Sequence, residues 1–511
     1  MIRIGDIIEG VIMMNSSGSA YLVSDVLEDD LFIFKTKTNE SFHSDKVKVK
    51  VIYGHKRKYE GEVIEILERN KVEFVGVIQK TSKTCFFIPD NGKIKIDFYI
   101  PTDKTNKAKD GQKVVVRFTE WGRGKKNPNG EVIRILGEVG NCDTEMHAIL
   151  EEYGLPYEFP ENVLVESDLI SSEIPQSEID KRLDMRDVLT FTIDGETAKD
   201  LDDALSIRWI NDEVEIGIHI ADVSFYVKPN TSIFEEAYNR GTSIYLVDRT
   251  IPMLPPKLSN DLCSLNPNTD KLVYSFIFTF DNNGKIVNQK FNKGIINSNY
   301  RLTYTEVQKV IEGGETHSDE LKHSILSLDR YAKILNKMRS KNNHLSFRGN
   351  EIKFKLDENN KPIGVLFNVQ TDSNHLIEEF MVLTNKKVCE FIASKNVKSI
   401  HRVHDKPDIS KLESLKNFVS VFGYEIKLND EDKIKNELNK LLTDSLGTSE
   451  ENIISNFVVR CMSKAKYQTE NIGHYGLGIE HYVHVTSPIR RMCDLLIHTQ
   501  LNSMLTNGGY L

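Results

Sequence analysis

The chain has 511 residues, of which 39% are hydrophobic and 28% charged, and its 66 Lys and Arg against 75 Asp and Glu leave a net charge of −9. Such a length predicts several domains or one large domain with appendages. The composition is that of a soluble globular protein, and no apolar run is long enough to span a bilayer. The acidic balance does not exclude a nucleic-acid partner, because phosphate binding needs positive charge only along the path of the strand. The opening stretch MIRIGDIIEGVIMM is interrupted by Asp6 and Glu9 and lacks a signal-peptide pattern. Six scattered cysteines (Cys85, Cys142, Cys263, Cys389, Cys461, Cys493) have no paired spacing. They argue against a zinc site and a disulfide framework, and fit a reducing cytoplasm with no membrane attachment.

In chain order, the first region is rich in strand patterns and contains a repeat. Ser19–Val23 and Asp30–Phe34 form one pair of apolar motifs, and Thr84–Ile88 with Asp97–Ile100 form a second. The spacing predicts two small β-barrels, over residues 1–60 and 61–140. Each resembles a cold-shock domain, an OB-type barrel whose exposed aromatics stack on bases. Whether an aromatic such as Phe34 lies in the core or on the surface depends on register, which the sequence leaves open. Two basic clusters, His55–Lys58 and Arg123–Lys126, fall in expected loops and read as phosphate contacts or as solvated turns.

Residues 141–187 read as a connector, with a helical MHAILEEYGL followed by the proline-punctuated LPYEFPENV. From 188 the chain mixes strands and helices. Thr190–Ser206, TFTIDGETAKDLDDALS, holds four carboxylates, Asp194, Asp200, Asp202 and Asp203. The flanking alternation predicts strands on both sides, with the acidic loop at the mouth of a β-hairpin. Crowded carboxylates repel, so a folded chain holds them together when a counter-charge is present, and a hard divalent cation such as Mg²⁺ takes oxygen ligands. A solvated acidic turn is the competing reading. VYSFIFTFD and GKIVNQKFNKGIINSNYRL read as antiparallel strands. YTEVQKVIEG, LDRYAKILNKMR, LIEEFMVLTNKKVCEFIASK, ISKLESLKNFVSVFG and NIISNFVVRCMSKAKY read as helices, giving an α+β domain over 188–511.

In GHYGLGIEHYVHVTSPIRRMCDLL, Ser487 is a good N-cap and Pro488 a good first helical residue, which places Arg490 and Arg491 in the first turn. There the arginines either meet an anion or pair with an acid such as Asp494. The glycine-rich GHYGLG is not followed by Lys-Ser/Thr and is no P-loop. His481 and His484, in an expected strand, together with His498 have only generic spacing for zinc.

The acidic stretch, together with IHIADVSFYV, RGTSIYLVDRTIPMLPPKLSNDLCSL, DSNHLIEEFM, HRVHDKP and GHYGLGIEHYVHVTSPIRR, resembles the ribonuclease II/ribonuclease R (RNB) family of 3′-to-5′ exoribonucleases. The resemblance implies two cold-shock barrels, a connector and an RNB catalytic domain. It also implies Mg²⁺-dependent release of nucleoside 5′-monophosphates from the 3′ end of RNA, with one or two ions. Asp194, Asp200, Asp202 and Asp203 match the family's four catalytic, metal-site aspartates, and Arg490 matches the arginine that offsets charge on the scissile phosphate. Tyr245 matches the tyrosine that holds the 3′ nucleotide and Phe347 the aromatic that clamps bases. Tyr304 and Glu378 match positions that read ribose, and Arg491 is a further expected RNA contact. The paired barrels favour the ribonuclease R branch, whose members load on single-stranded RNA or a 3′ overhang before entering structured RNA. A monomer is expected. The family continues past the arginine helix with further helices and an S1 barrel, so the chain reads as truncated in its catalytic domain and lacking an S1 barrel. A competing reading is an RNA-binding or chaperone protein whose catalytic domain is idle.

Overall fold

Between Lys46 and Val51 every second residue is valine and the others are lysine, the signature of a strand with one buried face. The computed structural model describes residues 3–55, 58–122, 124–341, 344–345, 351–358, 360–430 and 433–506. In it Val47, Val49 and Val51 are fully buried. They lie on β4 of a closed barrel made by β1 (Ile7–Met14), β2 (Ala20–Val23), β3 (Leu31–Ile33), β4 (Lys46–His55) and β5 (Lys58–Glu68). A second closed barrel follows, from β6 (Glu73–Lys80), β7 (Cys85–Pro89), β8 (Phe98–Tyr99), β9 (Gln112–Glu120) and β10 (Asn129–Glu138). The strands settle the register question. Phe87 and Phe98 are core, whereas Phe34 and Tyr99 are exposed, and Tyr21 is exposed with its edge against Phe32. Of the basic clusters, Lys56, Arg57 and Arg123 lie outside the described residues.

Each barrel has its own core, and the first lends a ring to the second. Phe42, from the loop between β3 and β4, stacks on Phe98 and meets Phe74 and Phe118 edge-on, at centroid distances of 5.2–5.6 Å. Arg69 covers it at 4.7 Å and bonds Asp45 at 2.7 Å. Phe42 is 4% exposed, so truncation leaves a cavity. Phe42→Ala is expected to cost about 3–5 kcal/mol, read as an earlier denaturant transition of the barrels.

The chain divides into two compact units, one comprising Met1–Glu158 with Leu356–Ile363 and the other the remainder. In the first, α1 (Cys142–Glu152) is capped by Asn141, whose side chain accepts from Thr144 N–H. The second begins with α2 (Glu161–Leu169) and α3 (Gln176–Ile179), then β11 (Leu183–Asp184), β12 (Thr190–Asp194), β13 (Asp203–Ile210), β14 (Glu213–Ala221), α4 (Val223–Tyr226), α5 (Ser232–Arg240), β15 (Ile244–Tyr245) and β16 (Thr250–Ile251). After a π-helical turn at Lys257–Leu262 come β17 (Asp270–Phe280), β18 (Ile286–Asn297), β19 (Tyr300–Thr303), α6 (Tyr304–Ile311), α7 (Asp319–Lys341), β20 (Glu351–Leu356), β21 (Pro362–Asn368) and α8 (Asp372–Ser394). The chain continues through β22 (His401–Val403), α9 (Ile409–Ser420), α10 (Ile434–Asp444), α11 (Glu451–Cys461), β23 (Lys466–Gln468) and α12 (Met492–Thr506).

Among the described residues a seven-stranded sheet, in the order β11-β18-β17-β14-β13-β12-β19, forms the centre of this unit. Side chains alternate across it. Leu205, Ile216, Ile218, Tyr274, Phe276 and Phe278 face a core built with α6, α7 and α8. Ala204, Ala221, Val273 and Ile277 face a second core with Leu201, Leu258, Ile489 and Leu495. Helices α9, α10 and α11 close a separate small core around Leu415, Leu438 and Val458. No helix among the described residues is long and apolar enough to cross a membrane.

Four local expectations are corrected. Tyr300–Thr303 does not extend the antiparallel run; it pairs in parallel with β12, Asp194 lying opposite Thr303. The helix expected to reach Tyr467 ends at Cys461, and Lys466–Gln468 pairs instead with β22. His481 and His484 lie in an irregular loop, held by Asn471 and Tyr467 through 2.9 and 2.7 Å hydrogen bonds. The last helix starts at Met492, because Arg491 forms an isolated antiparallel bridge with Thr242.

Candidate active site

The acidic loop runs from the end of β12 to the start of β13, and the antiparallel pair Phe191↔Leu205 brings Asp194 and Asp203 to one end of the sheet. The loop is pinned at several points. Leu201 is fully buried and its N–H donates to Ser264 Oγ, whose own hydroxyl donates to the Lys199 carbonyl. The Arg301 guanidinium donates to the carbonyls of Glu196 and Ala198 at 3.1 and 2.6 Å. The strand register that sets Thr303 beside Asp194 also puts Tyr304 next to the carboxylates. Burial, together with Asp203 and Asp194, raises the Tyr304 hydroxyl pKa above its usual range.

Asp202 is 4% exposed. Its Oδ1 accepts from the Ile489 N–H at 2.8 Å, and its Oδ2 lies 3.6 Å from Arg490 Nε. Asp202 and Ile489 stand 287 positions apart in the chain and meet only through the fold. Arg490 also donates to Ser487 Oγ at 2.9 Å, and its side chain stays 41% exposed. Ser487 therefore does not cap the helix as expected. Its hydroxyl is engaged by Arg490, and its N–H donates to Asp494. Arg491 spends its guanidinium on the same Asp494, at 2.7 Å, so the two adjacent arginines divide between the two acids.

The segment after α5 ties both sides of the site. Thr242 Oγ1 and Ser243 N–H both donate to the Arg490 carbonyl, and Met492 N–H donates to Gly241 O. Three residues on from Thr242, the Tyr245 hydroxyl donates to Asp200 Oδ2 at 3.1 Å, while its ring remains 54% exposed. Glu378 is on α8, 3.3 Å from Arg339, which also holds the buried Glu379. The N-terminal turn of that helix meets Tyr304, whose carbonyl accepts from Ser373 Oγ. Phe347 lies outside the described residues.

The carboxylates are electrostatically frustrated. Burial, reinforced by Asp203 and Asp200, pushes Asp194 up to about 8. Burial pushes Asp203 to about 6 and raises Asp202 well above the carboxylate range, against the pull of Arg490 on both. Asp194 Oδ2 and Asp202 Oδ2 are buried without a hydrogen-bond partner. Among the described residues the four aspartates do not close into a cage of three or more metal-binding side chains. Asp200 turns to Tyr245, and Asp202 to Ile489 and Arg490. The all-oxygen donor set, its accumulated charge and its unpartnered oxygens fit a hard divalent cation that keeps part of its shell for waters and phosphate. Of these features, the four aspartates stand out in sequence. The Ile489 N–H, Ser264, Arg301 and Thr242 were missed, since each acts through a partner far along the chain.

Residues 182–507 match the RNB domain family, 86–160 the cold shock domain, and 10–66 the ribonuclease B OB domain. The chain is 33% identical to ribonuclease R of Thermotoga maritima over 99% of its own length and 72% of that relative. The solved ribonuclease R of Mycoplasma genitalium in complex with ribose-methylated single-stranded RNA superposes with a TM-score of 0.90 at 26% identity, covering 97% of this chain and 79% of that one. Yeast Ssd1, a pseudonuclease, shares the fold at a TM-score of 0.71 and 19% identity, covering 99% of this chain and 70% of that one. With the RNB match spanning more than half of the chain and a third of the residues identical to a ribonuclease R along nearly its whole length, the chain belongs to the ribonuclease R/RNB family of exoribonucleases.

Proposed function

We propose that this chain hydrolyses single-stranded RNA, and RNA with a 3′ overhang, one nucleotide at a time from the 3′ end, releasing nucleoside 5′-monophosphates with Mg²⁺. The observation that carries this reading is the meeting of Arg490 with Asp202, at 3.6 Å, beside three further aspartates. A bound divalent ion would supply water activation and charge neutralisation. Asp194, Asp200, Asp202 and Asp203 would hold it, with Asp202 nearest the attacking water. The half-open guanidinium of Arg490 is placed to offset charge gathering on the scissile phosphate. Tyr245 offers an exposed ring to the 3′ nucleotide, and Tyr304 and Glu378 are assigned to ribose, where a carboxylate accepting from a 2′-OH prefers RNA over DNA. Phe347 is assigned to base stacking from the family resemblance, and Arg491 to bracing the turn that carries Arg490. The exposed aromatics of the barrels suit sequence-tolerant stacking.

Labelled single-stranded RNA incubated with Mg²⁺, with and without EDTA, tests this reading. Metal-dependent mononucleotide release is expected, whereas binding without release would favour an idle catalytic domain. A second readout needs no turnover. Asp194 and Asp203 are carboxylates whose folded pKa values, about 8 and about 6, lie above the unfolded value. Their contribution to stability is present below the unfolded pKa and is lost as pH rises through the folded values. In EDTA the melting temperature should therefore fall between about pH 4 and pH 8, and Mg²⁺ should raise it more at the upper end of that range than at the lower. An Mg²⁺ effect independent of pH would count against these ligands.

A further inference from the structure

Arg402 and Lys435 are two cations with no acid assigned to them among the described residues. Arg402, on β22, lies over the Tyr467 ring at 4.8 Å, and Tyr467 is its cross-strand partner on β23. The Tyr467 hydroxyl is bonded to His484 Nδ1 at 2.7 Å. Lys435, in the first turn of α10, lies over the Tyr475 ring at 4.2 Å. Neither Arg402 nor Lys435 has an ion pair or a side-chain hydrogen bond among the described residues. Both are half-buried.

These groups form one electrostatic neighbourhood. His484 is pushed down to about 2 by burial and then by Arg491, Arg402, His474 and Arg490. His474 is pushed down to about 4 by burial, by His404, and by Arg402 and Lys435. The carboxylate that faces this group from α12, Asp494, is already shared by Arg491 and the Ser487 N–H. Burying cations without a counter-charge is costly unless an anion arrives. Positive groups spaced along a groove are also what tracks the backbone when single-stranded nucleic acid is held without regard to sequence, and a cation laid on an aromatic face is held there by the ring. The continuity is local. His404, on the chain just beyond Arg402, packs against His474 and Tyr475, and its backbone bonds to the loop that carries them.

We propose that Arg402 on Tyr467 and Lys435 on Tyr475 form a phosphate track that holds the RNA backbone upstream of the 3′ nucleotide delivered to Arg490. This inference rests on the nuclease reading above and deepens it. The tyrosines fix each cation in place, so a phosphate meets a positioned charge and not a flexible one. A purely structural role for the two stacks is the alternative, and counterion release separates the two. Each phosphate contact to single-stranded nucleic acid contributes about 0.7 to the slope of log affinity on log salt.

The test measures binding of 5′-fluorescein-labelled oligo(A) in EDTA, so that it is not cut, between about 50 and 200 mM salt. Arg402→Met and Lys435→Met keep apolar bulk and remove charge. Each is expected to reduce the slope by about 0.7, which near 0.1 M salt corresponds to about fivefold weaker binding. Arg402→Lys should retain the slope, and Lys416→Met, an exposed lysine on α9, should leave it unchanged. Lys435→Met stands on a helix surface and carries the test alone if Arg402→Met melts early. A double variant with the wild-type slope overturns the phosphate track and leaves the nuclease reading standing. A wild-type protein that does not bind oligo(A) sinks that reading, and the track with it.

Discussion

Asp202→Asn is expected to lower mononucleotide release by on the order of 10³-fold or more while leaving RNA affinity nearly intact. Asparagine has almost the same shape and its Oδ1 can still accept from the Ile489 N–H, so the turn before α12 keeps its anchor. What is lost is the charge of a carboxylate that is 4% exposed and faces both Arg490 and its fellow aspartates. Removing one member of a crowded buried set relieves repulsion, so the variant should melt no earlier than the parent in EDTA. It should also gain less from Mg²⁺. Fluorescence anisotropy with single-stranded RNA, run beside a product assay, separates the two effects. Equal loss of binding and hydrolysis would remove Asp202 from the role proposed for it.

Arg490→Ala should reduce turnover by about 10²–10³-fold at saturating RNA, the usual scale for one positioned cation at a developing negative charge. Arg490→Lys should recover only part of this, because an ammonium lacks the planar fork that spans two oxygens. The pH profile provides an independent check. Arg490 draws the Asp202 and Asp203 pKa values downward against burial. Without it those carboxyls ionise at higher pH, so the acidic limb of the rate profile should move toward alkaline values. An unchanged profile with an unchanged turnover number would place Arg490 outside the reaction.

The parts of this protein that were readable from residues alone are those whose cause is local. Four aspartates within ten positions announce themselves, and alternation in Val188–Ile193 or in Lys46–Val51 declares a strand. The doubled apolar motifs predicted two barrels, and two closed barrels form. From the residues alone Arg490 was legible as one of two arginines that meet an anion or pair with an acid, and only the family resemblance set it beside the aspartates, since nothing near it in the chain mentions Asp202. The start of α12 was misread for a physical reason. Ser487-Pro488 has good capping chemistry, but Asp494, Arg490 and the bridge to Thr242 claim the groups that capping would use. Helix α10 went unread although Ile434, Leu438, Leu441 and Leu442 follow a helical period, and with it went Lys435. Contacts such as Arg301 to the acidic loop leave no trace in any short window, because their two halves lie about a hundred residues apart.

The shared aromatic cluster around Phe42 bears on how this protein can be dissected. A barrel whose interior is completed by a ring borrowed from its neighbour is not a portable module. Excised alone, the second barrel would expose Phe74, Phe98 and Phe118 where Phe42 now sits, and the first would present a loose phenylalanine to water. Domain-swap chimaeras should therefore be cut outside the pair, before Ile7 or after Glu138, and never in the linker between them.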